Sequence, residues 1–301
     1  LEYNLSTQIV NWDYNMYPEL AKELWNTHKD YYSQFDVIIT SDTAPLSRIF
    51  LQNNFSNRLI IWVCNRFDYC DGATSRGFPD KEYYELFSGA TSKKNVKIFS
   101  YTKFEREYAE KYHNIDWGKY IIKPCALISQ NTSSEYFNKT IEKKKVFFIP
   151  SYHNDTIFMD LKKKCDELGI ETFQGRYSGV QDLIGVKGII HIPYAWSNLA
   201  LFENWAIGNI YFIPSQSFLM ELCERGDFFW SPPFDKSFIS SSEWYLPEHG
   251  NLFIYFNSWK NLKELIENKD LIEDKKIKVK RFSEIHNKKT LYQWESAIEK
   301  W

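Results

Sequence analysis

The sequence predicts an α/β protein made of two Rossmann-like parallel-sheet domains facing a central cleft. Three observations predict it. Strand-like apolar runs alternate with helix-like segments, the runs are continuously apolar, and the pattern stops at a polar stretch and then starts again. Continuous apolar runs suit strands covered on both faces, and strict alternation of strand and helix yields parallel pairing through helical crossovers. At 301 residues the chain is also long enough for two ordinary cores.

The elements follow in order. "FDVIITS" (35–41) leads to a helix-like "PLSRIFLQNN" (45–54), "RLIIWVC" (58–64) leads to a polar loop, and "VKIFSY" (96–101) leads to "TKFEREYAEKYH" (102–113). After "YIIKPCALIS", residues 131–145 are polar, lack apolar periodicity and are expected to connect the domains, which places the first domain at 1–130. The second domain, 146–288, restarts with strand "VFFIPS" (146–151), helix "IFMDLKKKCDELG" (157–169), strands "IETFQG" (170–175) and "GIIHIPY" (188–194), a short helix, and strand "IYFIPS" (210–215). The ending 289–301 reads as an amphipathic helix with Leu291, Trp294, Ile298 and Trp301 near one face, packed either across to the first domain or on its own.

Composition excludes several classes. Lys plus Arg is 37 against Asp plus Glu 39, a formal charge of −2, so no overall basic field exists to hold nucleic acid. The lysine clusters at 143–145, 162–164, 275–276 and 288–289 are dispersed and read as solvated faces and linkers. No apolar run reaches the length of a transmembrane segment, and five cysteines without a CxxC pair argue for reduced thiols; a cytoplasmic location is expected. No cofactor and no metal are expected, because no GxGxxG or Walker loop, zinc spacing, Asp-x-Asp or GxSxG elbow occurs. Aromatic residues make up 18%, which suggests clefts walled by rings. A homodimer is compatible with the sequence without being required by it.

In parallel sheets, ligands bind beyond the carboxyl ends of the strands. That rule nominates 41–45, 65–71, 151–154, 175–179 and 194–199. In the last, Ser197 or Asn198 can cap a helix whose free amides and dipole attract an anion. Leu199, Ala200, Leu201, Phe202, Trp205, Ala206 and Ile207 leave Glu203 and Asn204 as the polar positions of that helix. The helix therefore reads as buried almost all round, and Glu203 as a carboxylate that needs a partner. Glu203 lies about five residues beyond the cap, ~8 Å along the axis at 1.5 Å per residue, roughly the reach from a diphosphate to a ribose.

"HIPYAWSNLALFENWAIGNIYFIPS" (191–215) resembles the nucleotide-sugar site of GT-B glycosyltransferases, particularly retaining family 4. Glu203 matches the second acid of that family's E-x7-E motif and Gly208 the glycine that follows it. Ala195 stands where the first acid would be, and "IPSYHNDTIF" offers Ser151, Tyr152 and His153 in place of the family's basic pair. The resemblance implies a hexosyltransferase that uses a nucleoside diphosphate sugar of GDP-mannose or UDP-glucose type and a glycan acceptor, retains configuration, and needs no metal. It implies donor contacts at Ser151, Tyr152, Arg176, Tyr177, Ala195, Trp196, Ser197, Asn198, Leu199 and Glu203, with ribose on Glu203. In the first domain, "CNRFDYCDG" (64–72) gathers Arg66, Asp68 and Asp71 after a strand, and Arg66 and Asp68 are the candidate catalytic pair; a surface turn held by salt bridges is the alternative. His191 reads as a satisfied core residue. A nucleotide-sugar epimerase and a non-catalytic sugar or nucleotide-binding module are the rival functions.

Overall fold

The computed structural model describes residues 16–69, 80–126, 146–151, 157–228 and 239–301. Tyr152, Asp71 and Cys70 and the 131–145 connection lie outside the described residues. The chain divides into two compact units: Leu1–Ile122 with Ile298–Trp301, and Lys123–Ala297. Both are α/β with parallel sheets, as the sequence predicts.

The first unit carries β1 (Val37–Thr40), β2 (Arg58–Val63) and β3 (Val96–Ser100) in the order β1-β2-β3, all parallel. Leu59, Ile60, Ile61 and Val63 are essentially inaccessible, which is why β2 has no polar alternation. The helices are α1 (Pro18–Tyr32), α2 (Arg48–Leu51), α3 (Lys81–Ala90) and α4 (Lys103–His113). The helix expected over 45–54 is a 3-10 turn, Ala44–Ser47, running into the single turn of α2. α4 starts on a capping box in which Thr102 and Glu105 satisfy each other, and it ends on Asn114 with a left-handed backbone, φ 55. Buried Arg48 ion-pairs with Asp80, whose other oxygen caps α3 by accepting from the Tyr83 amide. Trp301 belongs to this unit: its ring nitrogen donates to the Lys94 carbonyl at 2.9 Å, and Arg58 and Lys97 lie over its rings.

The second unit carries β4 (Phe147–Pro150), β5 (Thr172–Gly175), β6 (Ile189–Ile190), β7 (Tyr211–Pro214) and β8 (Ile254–Phe256) in the order β5-β4-β6-β7-β8, again all parallel. After β4 the chain goes outward to β5 and then returns to pair β6 on the other side of β4. The strand order therefore reverses at β4 and β6, and in such sheets that reversal opens a crevice at the strands' carboxyl ends. The helices are α5 (Leu161–Glu167), α6 (Leu199–Ala206), α7 (Gln216–Glu224), α8 (Trp259–Glu267) and α9 (Lys269–Glu299). The amphipathic ending read from the sequence is thus the tail of a 31-residue helix. Many of the rings pack on one another: Trp205 contacts Phe202, His249, Phe253 and Phe282 with centroids 5.1–5.5 Å apart.

Candidate functional site

At the end of β6 the chain turns at "IPYAWSN" into α6. Asn198 is the cap: its side chain accepts from the Ala200 amide at 2.8 Å, and its carbonyl accepts from the Leu201 amide at 3.0 Å. Two first-turn donors are therefore already engaged, and the donors of this segment without an acceptor among the described residues are the Ser197 hydroxyl, the Leu199 amide and the backbone and side-chain N–H groups of Asn198. The Ser197 hydroxyl is buried with no hydrogen-bond partner among the described residues. At the far end, Gly208 has φ 85, the Asn209 amide donates to the Asn204 carbonyl at 2.9 Å and the Gly208 amide donates to the Trp205 carbonyl at 3.0 Å. That double closure needs a left-handed residue, so the chain ending alone accounts for the glycine the motif shares.

The expectation of a helix buried almost all round is corrected here. Leu201, Phe202, Asn204 and Trp205 face the core, whereas Glu203 is exposed and Leu199 is 57% exposed. At 100° per residue Glu203 points opposite the Leu201–Trp205 stripe, so composition alone misled. The buried polar group is Asn204. Its amide donates to the Ala200 carbonyl at 2.8 Å, and its oxygen accepts from Asn209, which also donates to the Leu183 carbonyl at 3.1 Å. No hydrogen bond or ion pair engages Glu203 among the described residues.

Tyr177, in the loop after β5, meets the same helix. Burial raises its hydroxyl above the ordinary value, the Glu203 charge raises it further, and a hydrogen bond with Asn204 opposes both. Glu203 and Tyr177 are thus neighbours across two different strand ends. Arg176 and Ser151 are exposed on the loops after β5 and β4, and the Ser151 amide donates to the Gly175 carbonyl at 3.3 Å.

Ala195 and Trp196 are held from behind. The Trp244 ring nitrogen donates to the Ala195 carbonyl and the Glu243 amide to the Trp196 carbonyl, both at 2.9 Å. Trp196 is 5% exposed, so its ring packs within the unit and presents no face to solvent. His191 is fully enclosed by Tyr194, Tyr211 and Trp244 at 4.7–6.1 Å between ring centroids, and burial drives it down to about 3, so it is a neutral core imidazole.

Sequence reasoning missed the buried charge group beneath this loop. Glu243, Trp244 and His249 are essentially inaccessible. Lys123 Nζ lies 3.0 Å from Glu243 Oε2 and also ion-pairs with Glu248, while His249 Nδ1 is 2.9 Å from the Glu243 carbonyl. Burial raises Glu243 to about 7 against the pull of Lys123, and lowers His249 to about 4. Lys123 lies 120 residues from Glu243 along the chain, so no motif spacing announces the group.

In the first unit, Arg66 Nε is 3.6 Å from Asp68 Oδ1, and its guanidinium lies 5.6 Å from the Tyr108 ring. Tyr108 donates to Asp68 Oδ2 at 2.8 Å, and His113 Nε2 is 3.5 Å from the same oxygen. Between them Phe67 is buried against Tyr84, Phe87 and His113. The loop is therefore an anchored, half-buried network at the carboxyl end of β2. No group of His, Cys, Asp and Glu among the described residues has the makings of a metal site, and no described helix is long and apolar enough to cross a membrane.

No protein-family model and no curated protein matches the sequence. Among solved structures, the chain is similar to crystal structures of Arabidopsis thaliana UGT89C1. The complex with UDP-L-rhamnose aligns at a TM-score of 0.49 and 11% identity, covering 92% of this chain and 75% of that one. The complex with UDP aligns at a TM-score of 0.44 and 9% identity, covering 89% and 71%.

Proposed function

We propose that the chain is a GT-B glycosyltransferase whose second unit binds a nucleoside diphosphate sugar. The observation that carries this reading is the strand reversal at β4 and β6, with Ser197, Asn198 and the exposed Glu203 leading away from it and Tyr177 alongside. In this reading the Ser197 hydroxyl and the Leu199 amide meet the diphosphate, Glu203 accepts both ribose hydroxyls, and Ser151, Tyr152 and Arg176 complete the donor contacts. Trp196 and Ala195 act through their backbone, as the fixed wall of the turn.

The finer reading is a family 4 enzyme, acting in the cytoplasm, that moves a hexose from a GDP-mannose or UDP-glucose type donor to a glycan with retention. The bond from the anomeric carbon to the diphosphate breaks, the acceptor oxygen bonds to that carbon from the same face, and the leaving diphosphate takes the acceptor's proton. Arg66 and Asp68 serve transfer in the first unit.

Calorimetry against GDP-, UDP- and dTDP-sugars identifies the donor, and nucleotide release with and without glycan acceptors separates transferase from epimerase and from a binding module. Glu203→Gln replaces one acceptor oxygen by a donor and removes the charge. Hydrogen bonds to charged groups contribute roughly 1.5–3 kcal/mol, so nucleotide affinity should fall about 10- to 100-fold. Because Glu203 is exposed, the melting temperature should stay within the range of ordinary surface substitutions. Unchanged affinity would overturn the ribose assignment. Asp68→Asn keeps an acceptor for Tyr108, so transfer should fall at least ~10-fold with nucleotide affinity and melting little changed. A lowered melting temperature with transfer by the folded protein unchanged would instead assign the network to structure.

A further inference from the structure

The long helix α9 has two unlike faces. Val279, Ser283, Thr290 and Ala297 are buried, and Phe282 and His286 stack inward. The opposite face carries Ile277, Ile285 and Tyr292 at 69%, 61% and 64% exposure. Spacings of eight and seven residues keep these three in one stripe, ~22 Å long at 1.5 Å per residue. Lys280, Arg281 and Lys288 are exposed on the same face, and none makes an ion pair among the described residues.

Single exposed apolar residues are ordinary; three aligned with unpaired basic groups are not. Over 277–292 there are five Lys or Arg against one Glu, a local charge of +4 in a chain of net −2. The partner must therefore be acidic and must also take up aliphatic side chains along a straight line. A second copy of this face would meet like charge. Single-stranded nucleic acid is read by stacking, for which Tyr292 offers one ring and the two isoleucines offer nothing. A bilayer with anionic headgroups supplies both chemistries in one plane, with Lys and Arg stems snorkelling to phosphates while isoleucine enters the acyl boundary. The sequence suggested only that the lysines near this helix are solvated; the exposed aliphatic stripe between them is what the structure adds.

We propose that this face of α9 lies on the surface of an anionic lipid bilayer. The proposal does not rest on the donor site, and both variants below should retain nucleotide affinity. The full chain is sedimented with vesicles of phosphatidylcholine alone and with 30 mol% phosphatidylserine. Binding is expected to the anionic vesicles only. Each juxtamembrane basic residue contributes about fivefold, so Lys280→Gln/Arg281→Gln/Lys288→Gln should weaken binding about 100-fold. Ile277→Ser/Ile285→Ser should weaken it about tenfold. All these positions are exposed, and unchanged melting establishes that the variants fold. Absence of binding to the anionic vesicles overturns the proposal. So does binding indifferent to the isoleucine changes and matched by heparin, which would mark a general polyanion surface.

Discussion

Acidification from pH 7 to 4 should lower the unfolding free energy through His191, and His191→Phe should remove about 3 kcal/mol of that loss. His191 is enclosed by Tyr194, Tyr211 and Trp244, and burial lowers it from 6.5 to about 3. A histidine lowered on folding contributes stability that is fully present above 6.5 and is lost as pH falls toward 3. At about 1.4 kcal/mol per pH unit, the window from 6.5 to 4 accounts for about 3 kcal/mol. Two other buried groups titrate there. His249, lowered to about 4, loses stability in the same direction; Glu243, raised to about 7, gains it as pH falls from 7 to 4.5. Their contributions are opposite in sign, and burial also lowers His286, so the difference between the native protein and His191→Phe, not the native slope by itself, isolates His191. Phenylalanine fills the ring site and cannot take up a proton. A hydrogen bond lost with the imidazole would shift the whole curve by about 1 kcal/mol without changing its slope. Denaturant unfolding of both proteins at pH 7, 5.5 and 4 checks this, and parallel curves would refute the assignment.

The strands were legible because their burial is simple. Residues read as apolar runs at 58–64 and 210–215 are β2, Arg58–Val63, and β7, Tyr211–Pro214, covered on both faces and therefore free of polar alternation. β6 is shorter than its run, only Ile189–Ile190, because the chain leaves the sheet into the turn that carries Ser197. Most of α9 escaped notice for the reason that makes it interesting: Ile277 and Ile285 place apolar residues on the exposed face, which blurs the 3.6-residue period. At the site, the cap at Asn198 and the strand-turn-helix around it could be read from residue order. The orientation of Glu203 could not, because a helix of eight residues with apolar neighbours on every side leaves the phase of burial undetermined. The group under Lys123 was invisible, since its members come together only in space.

Lys123→Met should cost 3–5 kcal/mol at pH 8 but only about 1–2 kcal/mol at pH 5.5. The Glu243 side chain is wholly inaccessible, Lys123 Nζ is 3.0 Å from its Oε2, and its Oε1 has no hydrogen-bond partner among the described residues. Lys123 is thus the cation nearest a carboxylate that burial already raises from 4.5 to about 7. A group raised on folding contributes stability present below 4.5 and lost as pH rises through its folded value. Removing Lys123 raises that value further, so at pH 8 folding must either bury an unpaired carboxylate or protonate it against the solution. At pH 5.5 the carboxyl is already protonated, and what remains is the cost of a missing donor. Glu248 does not substitute, since its charge is of the same sign and its side chain is 60% exposed. His249 does not substitute either: its Nδ1 is 2.9 Å from the Glu243 carbonyl and 3.3 Å from Glu243 Oε2, but burial holds it near 4, so it is neutral at both pH values. Lys123→Met/Glu243→Gln removes both charges together and should recover most of the loss at pH 8, giving a coupling of several kcal/mol in the double-mutant cycle. Denaturant unfolding of the four proteins at the two pH values decides it: a Lys123→Met loss that is the same at pH 8 and 5.5, or a double variant no more stable than the single, would mean that Glu243 is not the charge Lys123 serves.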